Sequence, residues 1–156
     1  MNFLTEHGIS TYEELVERCD AVAAASIRTK ESLRDTEQQI TDLAFLGKQI
    51  DTYRKLKPVY DRYKVSKDKE KFLRGFESEI ILFEAAAREI KKVGLTKLPS
   101  SDKLKAELNG LSTRKTALQT ELRKIQREEK EYDTVQQNVN MLLKNPQKQK
   151  RIHILE

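Results

Sequence analysis

The chain has 156 residues, of which 35% are charged and 37% hydrophobic, with five Gly, three Pro and a single Cys. Its 30 Lys and Arg exceed its 25 Asp and Glu, which gives a formal net charge of +5. This composition excludes a disulfide framework and a thiolate zinc site, because both need several cysteines, and it favours long helices. No apolar run approaches the roughly 18 residues of a membrane helix, so we expect no membrane insertion and a soluble, cytoplasmic chain.

Charge is unevenly distributed along the chain. Residues 1–53 carry five basic and ten acidic side chains, a net charge of −5. Residues 54–156 carry 25 basic and 15 acidic side chains, a net charge of +10. Such an asymmetry indicates a polyanionic partner, although charge governs encounter and solubility more than specific chemistry.

A short helical turn and a long first helix are the first predicted elements. Residues 2–7 fit one turn ending at Gly8, because glycine tolerates the left-handed conformation that closes a helix. Thr11 and Glu14 then match a capping box, in which each side chain accepts a hydrogen bond from a free backbone N–H group. Apolar residues recur every three or four positions over residues 12–50, which predicts a helical stripe.

Two features disturb this first helix. Its central heptad positions are mostly small and polar, which weakens the apolar seam but permits close helix packing; they are Ser26, Thr29, Leu33 and Thr36. Pro58 lacks a backbone donor and disfavours helix at the preceding residue, so we expect a kink or break near residues 55–58. A second short segment with Val59, Tyr60 and Tyr63 is expected to follow the break.

A Phe-rich helix and a long last helix complete the predicted elements. The Phe-rich helix is expected to begin at a Ser66 cap, to form the centre of the core and to end at Gly94. Residues 95–100 form a loop, which a turn and helix cap at residues 99–102 close. Twelve positions then follow 4-3 spacing between Leu104 and Leu143, and nine of them are apolar, which is typical of a coiled coil.

The predicted fold class is all-α. The simplest arrangement is an antiparallel helical hairpin or coiled-coil bundle of the two long helices, with the shorter Phe-rich helix packed at one end. Residues 1–143 would form one elongated helical domain, and residues 144–156 a basic, flexible tail. Self-association through the last helix is the alternative, and it makes a homodimer a candidate state.

No group of residues in the sequence predicts catalysis. His7 and His153 lie near opposite ends of the chain, whereas a metal or acid–base site needs converging ligands. Cys19 falls on the apolar stripe of the first helix, so a buried structural thiol is expected. The carboxylates alternate with Lys and Arg at helical spacing, as on a solvated helix face. We therefore expect no enzyme, with no catalytic residue, metal or cofactor.

Residues 53–74, which we call the basic segment, are the candidate binding site. Nine basic and three acidic residues give the segment a net charge of +6. The basic residues are Arg54, Lys55, Lys57, Arg62, Lys64, Lys67, Lys69, Lys71 and Arg74. Tyr53, Tyr60 and Tyr63 lie among them, and cations with aromatic rings suit phosphates and unpaired bases. In the alternative interpretation the tyrosines pack inward and the cations keep the helices soluble.

Three stretches of the sequence resemble a known family: NFLTEHGISTYEELVERCDAV, LGKQIDTYRKLKPVYDRYK and FLRGFESEIILFEAA. With the helical run between them, residues 2–143 resemble the C-terminal helical region of relaxases, the mobilisation nucleases of Firmicutes conjugative transposons and plasmids. In that family an N-terminal domain nicks the transfer origin with a tyrosine and a metal held by a histidine cluster. This sequence has no such cluster, so the resemblance implies a fragment without the catalytic domain, in which Met1 is an expression start at an internal boundary.

The leading interpretation is a non-catalytic accessory region of a conjugative relaxase, which assists DNA binding or relaxosome assembly during plasmid transfer. The expected partners are DNA, single-stranded or close to the transfer origin, and proteins of the relaxosome or transfer machinery. The alternative function is a coiled-coil scaffold that binds another protein or a second copy of the chain. An enzyme is the least favoured class, and no tyrosine of the basic segment takes over the role of the family's nucleophile.

Overall fold

The computed structural model of the protein describes residues 2–144, which form four α-helices and no strand. The helices are α1 (Phe3–Glu6), α2 (Tyr12–Val65), α3 (Lys69–Val93) and α4 (Ser101–Lys144). The prediction of an all-α fold is confirmed for these residues. The predicted tail, residues 144–156, lies outside the described residues except for Lys144, which ends α4.

Hydrogen-bonding side chains fix the starts of α1 and α2, including the predicted Thr11 cap. Asn2 caps α1, because its Oδ1 accepts from the Thr5 N–H at 2.8 Å, and Gly8 follows the helix with a φ of 65°. At the start of α2, Thr11 Oγ1 accepts from the Glu14 N–H at 3.1 Å. The Glu14 carboxylate reaches one residue further back than in a standard capping box, since it accepts from the Ser10 N–H at 2.7 Å.

Of the kink or break expected near residues 55–58, the break is wrong, because α2 continues through Gly47 and Pro58 to Val65. The predicted second segment around Tyr60 is therefore the last part of α2. Packing explains the continuity: the Phe83 ring of α3 stacks on Tyr53 at 4.7 Å and on Tyr60 at 4.3 Å between centroids. These tyrosines lie on either side of Pro58, so one contact surface supports the helix before and after the missing donor.

The cap of α3 is Asp68 instead of the predicted Ser66. Asp68 Oδ1 accepts from the Lys71 N–H at 3.1 Å, whereas Ser66 donates its hydroxyl hydrogen to the Asp68 carbonyl. The later boundaries agree with the prediction. Gly94 ends α3 with a φ of 74°, and the Ser100 hydroxyl accepts from the Lys103 N–H at 3.1 Å at the start of α4.

The chain divides into two compact units, so the prediction of one domain over residues 1–143 stays a prediction. The first unit contains the described residues of Met1–Asp35 and Lys115–Glu156. Its buried core consists of Ile9, Leu15, Cys19, Tyr132 and Val139. Two hydrogen bonds join α2 to α4 in this unit: Tyr12 Oη donates to Asn140 Oδ1 at 2.6 Å, and Cys19 Sγ donates to the Tyr132 carbonyl at 3.8 Å.

The second unit comprises Thr36–Arg114 and contains α3. Ile50, Ile90 and Leu104 form a buried cluster of α2, α3 and α4, and Ile50 is completely buried. Nearer the start of α3, Ile80, Phe83 and Ala86 are buried as well. The Phe-rich helix therefore supplies much of the core of this unit, as its broad apolar face predicts.

Ser26 is a polar residue inside the first unit. Its side chain is 1% exposed, and its Oγ has no hydrogen-bond partner among the described residues. An unpaired buried hydroxyl costs about 1–3 kcal/mol. We expect Ser26→Ala to raise the free energy of unfolding by about 1 kcal/mol beyond the gain in helix propensity, as measured by urea denaturation followed by circular dichroism.

Ser78→Ala is the matched control for this substitution, because Ser78 also lies inside a helix but is exposed. Both variants replace Ser by the stronger helix former Ala, so a larger gain for Ser26→Ala than for Ser78→Ala reports the buried hydroxyl. Equal effects of the two substitutions would show that the Ser26 hydroxyl carries no penalty in the folded chain.

Candidate nucleic-acid interface

The basic segment lies entirely in the second unit and covers the end of α2, the linker and the start of α3. Five of its cations are on α2, namely Arg54, Lys55, Lys57, Arg62 and Lys64. Lys67 is in the linker, and Lys69, Lys71 and Arg74 are on α3. All nine residues are exposed. The fold therefore presents to solvent every cation that the sequence selects.

Several of these cations already contact groups of the protein. The Arg54 guanidinium donates to the Pro99 carbonyl at 2.6 Å and to the Leu98 carbonyl at 3.4 Å, which ties the 95–100 loop to α2. Lys57 Nζ lies 3.1 Å from the Asp61 carboxylate in an i,i+4 ion pair. The spacing of Lys57 and Asp61 in the sequence could have revealed this pair.

Two further cations lie over aromatic rings. The Arg62 guanidinium carbon is 5.8 Å from the Phe72 centroid and 5.4 Å from the Phe76 centroid. Lys64 Nζ is 5.4 Å from the Tyr60 centroid. Such contacts leave the charge in solvent but hold the side chain near the ring. Arg62 and Lys64 therefore have a preferred position before any ligand is bound.

Four lysines of the segment keep their ammonium groups unpaired within residues 2–144; they are Lys55, Lys67, Lys69 and Lys71. Three of them fall within five consecutive residues around the Asp68 cap. The Asp68 carboxylate is occupied by the Lys71 N–H, and Asp61 is occupied by Lys57. Residues 67–71 thus carry the densest group of uncommitted cations in the basic segment.

The aromatic residues of the segment pack against one another. Tyr53 and Tyr60 stack on Phe83, and Phe72 stacks on Phe76 with 4.8 Å between centroids. Tyr63 has tilted neighbours, Tyr60 at 6.0 Å and Phe72 at 6.1 Å. This arrangement agrees with the inward-packing interpretation of the tyrosines. Phe76 and Phe83 lie outside the basic segment, so the sequence interval alone does not reveal their roles.

The His, Cys and acidic side chains within residues 2–144 form no candidate metal site. No group of three or more His, Cys, Asp or Glu residues in this part of the chain could hold a metal ion. His7 stacks on Phe3 at 4.0 Å, and His153 lies outside the described residues. Burial, with the nearby charges of Asp133 and Asp20, raises the pKa of the Cys19 thiol, so Cys19 is a poor nucleophile.

No helix within residues 2–144 combines the length and the apolar character that crossing a bilayer requires. The chain matches no protein-family model, no curated protein and no solved structure. The geometry of the basic segment is therefore the main basis for a functional hypothesis, together with the resemblance carried by the sequence.

Proposed function

We propose that the chain is a non-catalytic helical accessory region of a conjugative relaxase, which binds DNA through the basic segment. The observation that carries the proposal is the exposure of all nine cations of a segment whose net charge is +6. Exposed Lys and Arg side chains neutralise phosphates and release counterions, which supplies most of non-specific DNA affinity. The resemblance of the three sequence stretches to relaxase C-terminal regions connects this affinity with DNA mobilisation.

We also propose that α2 and α4 pair as an antiparallel coiled-coil hairpin. In the first unit, Tyr12 bonds to Asn140 and Cys19 bonds to Tyr132, so residue numbers rise along α2 as they fall along α4. The twelve 4-3 positions of α4 between Leu104 and Leu143 are all buried or half-buried. Continuous burial at this spacing is what a coiled-coil seam requires.

The second candidate function is a scaffold for protein–protein interaction, and a specific observation favours it. Large apolar side chains remain exposed on α2, α3 and α4, including Ile27 at 58%, Leu82 at 55% and Met141 at 70%. A protein partner or a second copy of the chain would bury such side chains. In this case the basic segment would serve solubility, and binding to nucleic acid would be absent at low salt.

A salt titration distinguishes the two functions. We expect fluorescence anisotropy to show saturable binding of the chain to labelled DNA, with affinity falling steeply as salt rises. Sedimentation of the same sample reports self-association. The triple variant Lys67→Glu, Lys69→Glu and Lys71→Glu is expected to weaken binding by about tenfold or more and to reduce the salt slope by about three, because each lysine supplies about one phosphate contact.

The matched control reverses three exposed lysines elsewhere, Lys30, Lys105 and Lys130. Both triple variants change the formal net charge equally, so a difference between them reports the position of the charge. Equal losses of DNA affinity in the two triple variants would mean that only the net charge matters, which would contradict a site in the basic segment. Absence of DNA binding by the unaltered chain at low salt would reject the proposed function, and concentration-dependent sedimentation would then favour the scaffold.

A further inference from the structure

Tyr53 and Tyr60 are half-buried, and each has one ring face packed against Phe83 in the core of the second unit. Both stack on Phe83 with interplanar angles of 26° and 25°, and Phe83 itself is 5% exposed. A base that stacked on the occupied faces would have to displace Phe83 from the core. That exchange would lose a buried aromatic contact, so these faces are closed to a ligand.

The other rings of the basic segment, together with Phe76 just after its end, are engaged as well. Phe72 and Phe76 stack on each other, and the Arg62 guanidinium lies within 6 Å of both centroids. Tyr63 has two tilted neighbours, Tyr60 and Phe72, and no stacked ring among residues 2–144. It is thus the tyrosine of the segment with the least occupied faces, and it provides the sharpest test of base stacking.

Unlike the rings, three lysines of the segment are free to bind a ligand. Lys67, Lys69 and Lys71 are exposed and unpaired among the described residues, and they surround the start of α3. An ammonium group is a compact point charge that binds a phosphate without reading its orientation or the attached base. The available chemistry of the segment is therefore charge neutralisation, while its aromatic chemistry is used to hold α3 against α2.

We infer that the basic segment binds the phosphate backbone of nucleic acid by charge alone, without stacking on bases. The inference rests on the proposed function and narrows its ligand class to polyphosphate backbones. Duplex DNA should bind at least as tightly as single-stranded DNA of equal length, because its phosphates are more closely spaced along the helix axis. A base-free chain of phosphates should compete with either form.

The test uses the whole chain with labelled single-stranded and duplex oligonucleotides and with long-chain inorganic polyphosphate as competitor. We expect polyphosphate to displace both DNA forms at similar concentrations of phosphate groups. Bound DNA that polyphosphate does not displace would overturn the inference and leave the proposed function standing. No binding of any of the three polyanions at low salt would instead reject both.

Tyr63→Leu and Tyr63→Phe supply the second arm. Loss of a ring that stacks on a base weakens single-strand binding by about fivefold to a hundredfold. We expect Tyr63→Leu to change single-strand affinity by less than about twofold, since charge alone is used. If Tyr63→Leu weakened single-strand binding by fivefold or more and Tyr63→Phe bound as tightly as the unaltered chain, base stacking would be established and the inference overturned. Thermal melting of both variants separates this readout from a loss of folding.

Discussion

Phe83→Ala is expected to lower the free energy of unfolding by about 3–5 kcal/mol, the usual cost of removing a buried Phe side chain. Phe83 is 5% exposed and touches rings on both sides of Pro58. Its loss would leave a cavity between α2 and α3 and would remove the stacked contacts of Tyr53 and Tyr60. Urea denaturation followed by circular dichroism measures the change.

Phe45→Ala is the control, because Phe45 is 51% exposed in the same unit. We expect this control to stay within about 1 kcal/mol of the unaltered chain, since about half of the residue is already in contact with water. Similar losses for Phe83→Ala and Phe45→Ala would contradict the packing of α3 against α2 through Phe83.

Leu15→Ala should have a comparable effect on the first unit. Leu15 is 1% exposed and belongs to the cluster with Ile9, Cys19 and Tyr132. Replacing a buried Leu by Ala removes transfer free energy and leaves a cavity, which together cost about 2–5 kcal/mol. Hydrogen exchange measured by mass spectrometry should show that backbone amides in α1, the start of α2 and the end of α4 exchange faster in this variant than in the unaltered chain.

Leu82→Ala provides the comparison for this variant, because Leu82 is 55% exposed on α3. We expect its effect to stay within about 1 kcal/mol. If Leu15→Ala unfolded no more readily than Leu82→Ala, the buried cluster around Leu15 would not exist in solution. A protection loss spread evenly over all four helices would instead show that the two units unfold together.

Local chemistry made several boundaries of the fold predictable. Gly8 and Gly94 adopt the left-handed conformation that their positions after helices predict. Thr11 and Ser100 cap α2 and α4 because short hydroxyl side chains satisfy backbone donors within three residues. Each of these features depends on a few neighbouring residues. A single sequence therefore contains most of the information that determines them.

Features that depend on distant residues were not predictable. The prediction of a break at Pro58 considers only the proline and its neighbours in the sequence. Helix α2 does not break there, because Phe83 of α3 packs against α2 on both sides of Pro58. Ser66 and Asp68 are both good caps by residue type. The choice between them depends on where the linker must turn for α3 to reach its packing position on α2.

In the candidate site, too, some features follow from neighbouring residues and others depend on distant ones. Its net charge and the exposure of its cations follow from the sequence, because long charged side chains rarely become buried. Whether Tyr60 faces a base or the core depends on α3, whose Phe83 lies 23 residues further along the chain. Similarly, the contact of Arg54 with the Leu98 and Pro99 carbonyls requires the fold to return the loop to α2.

The division of the chain into units has a consequence for the order of folding. The unit Thr36–Arg114 is one continuous stretch, whereas the other unit joins residues from both parts of the chain that flank it. During synthesis on a ribosome, the continuous unit can complete its core before the second half of α4, which belongs to the other unit, has emerged. The N-terminal part of α2 must wait for the second half of α4, so the slower, long-range closure depends on residues made after the continuous unit.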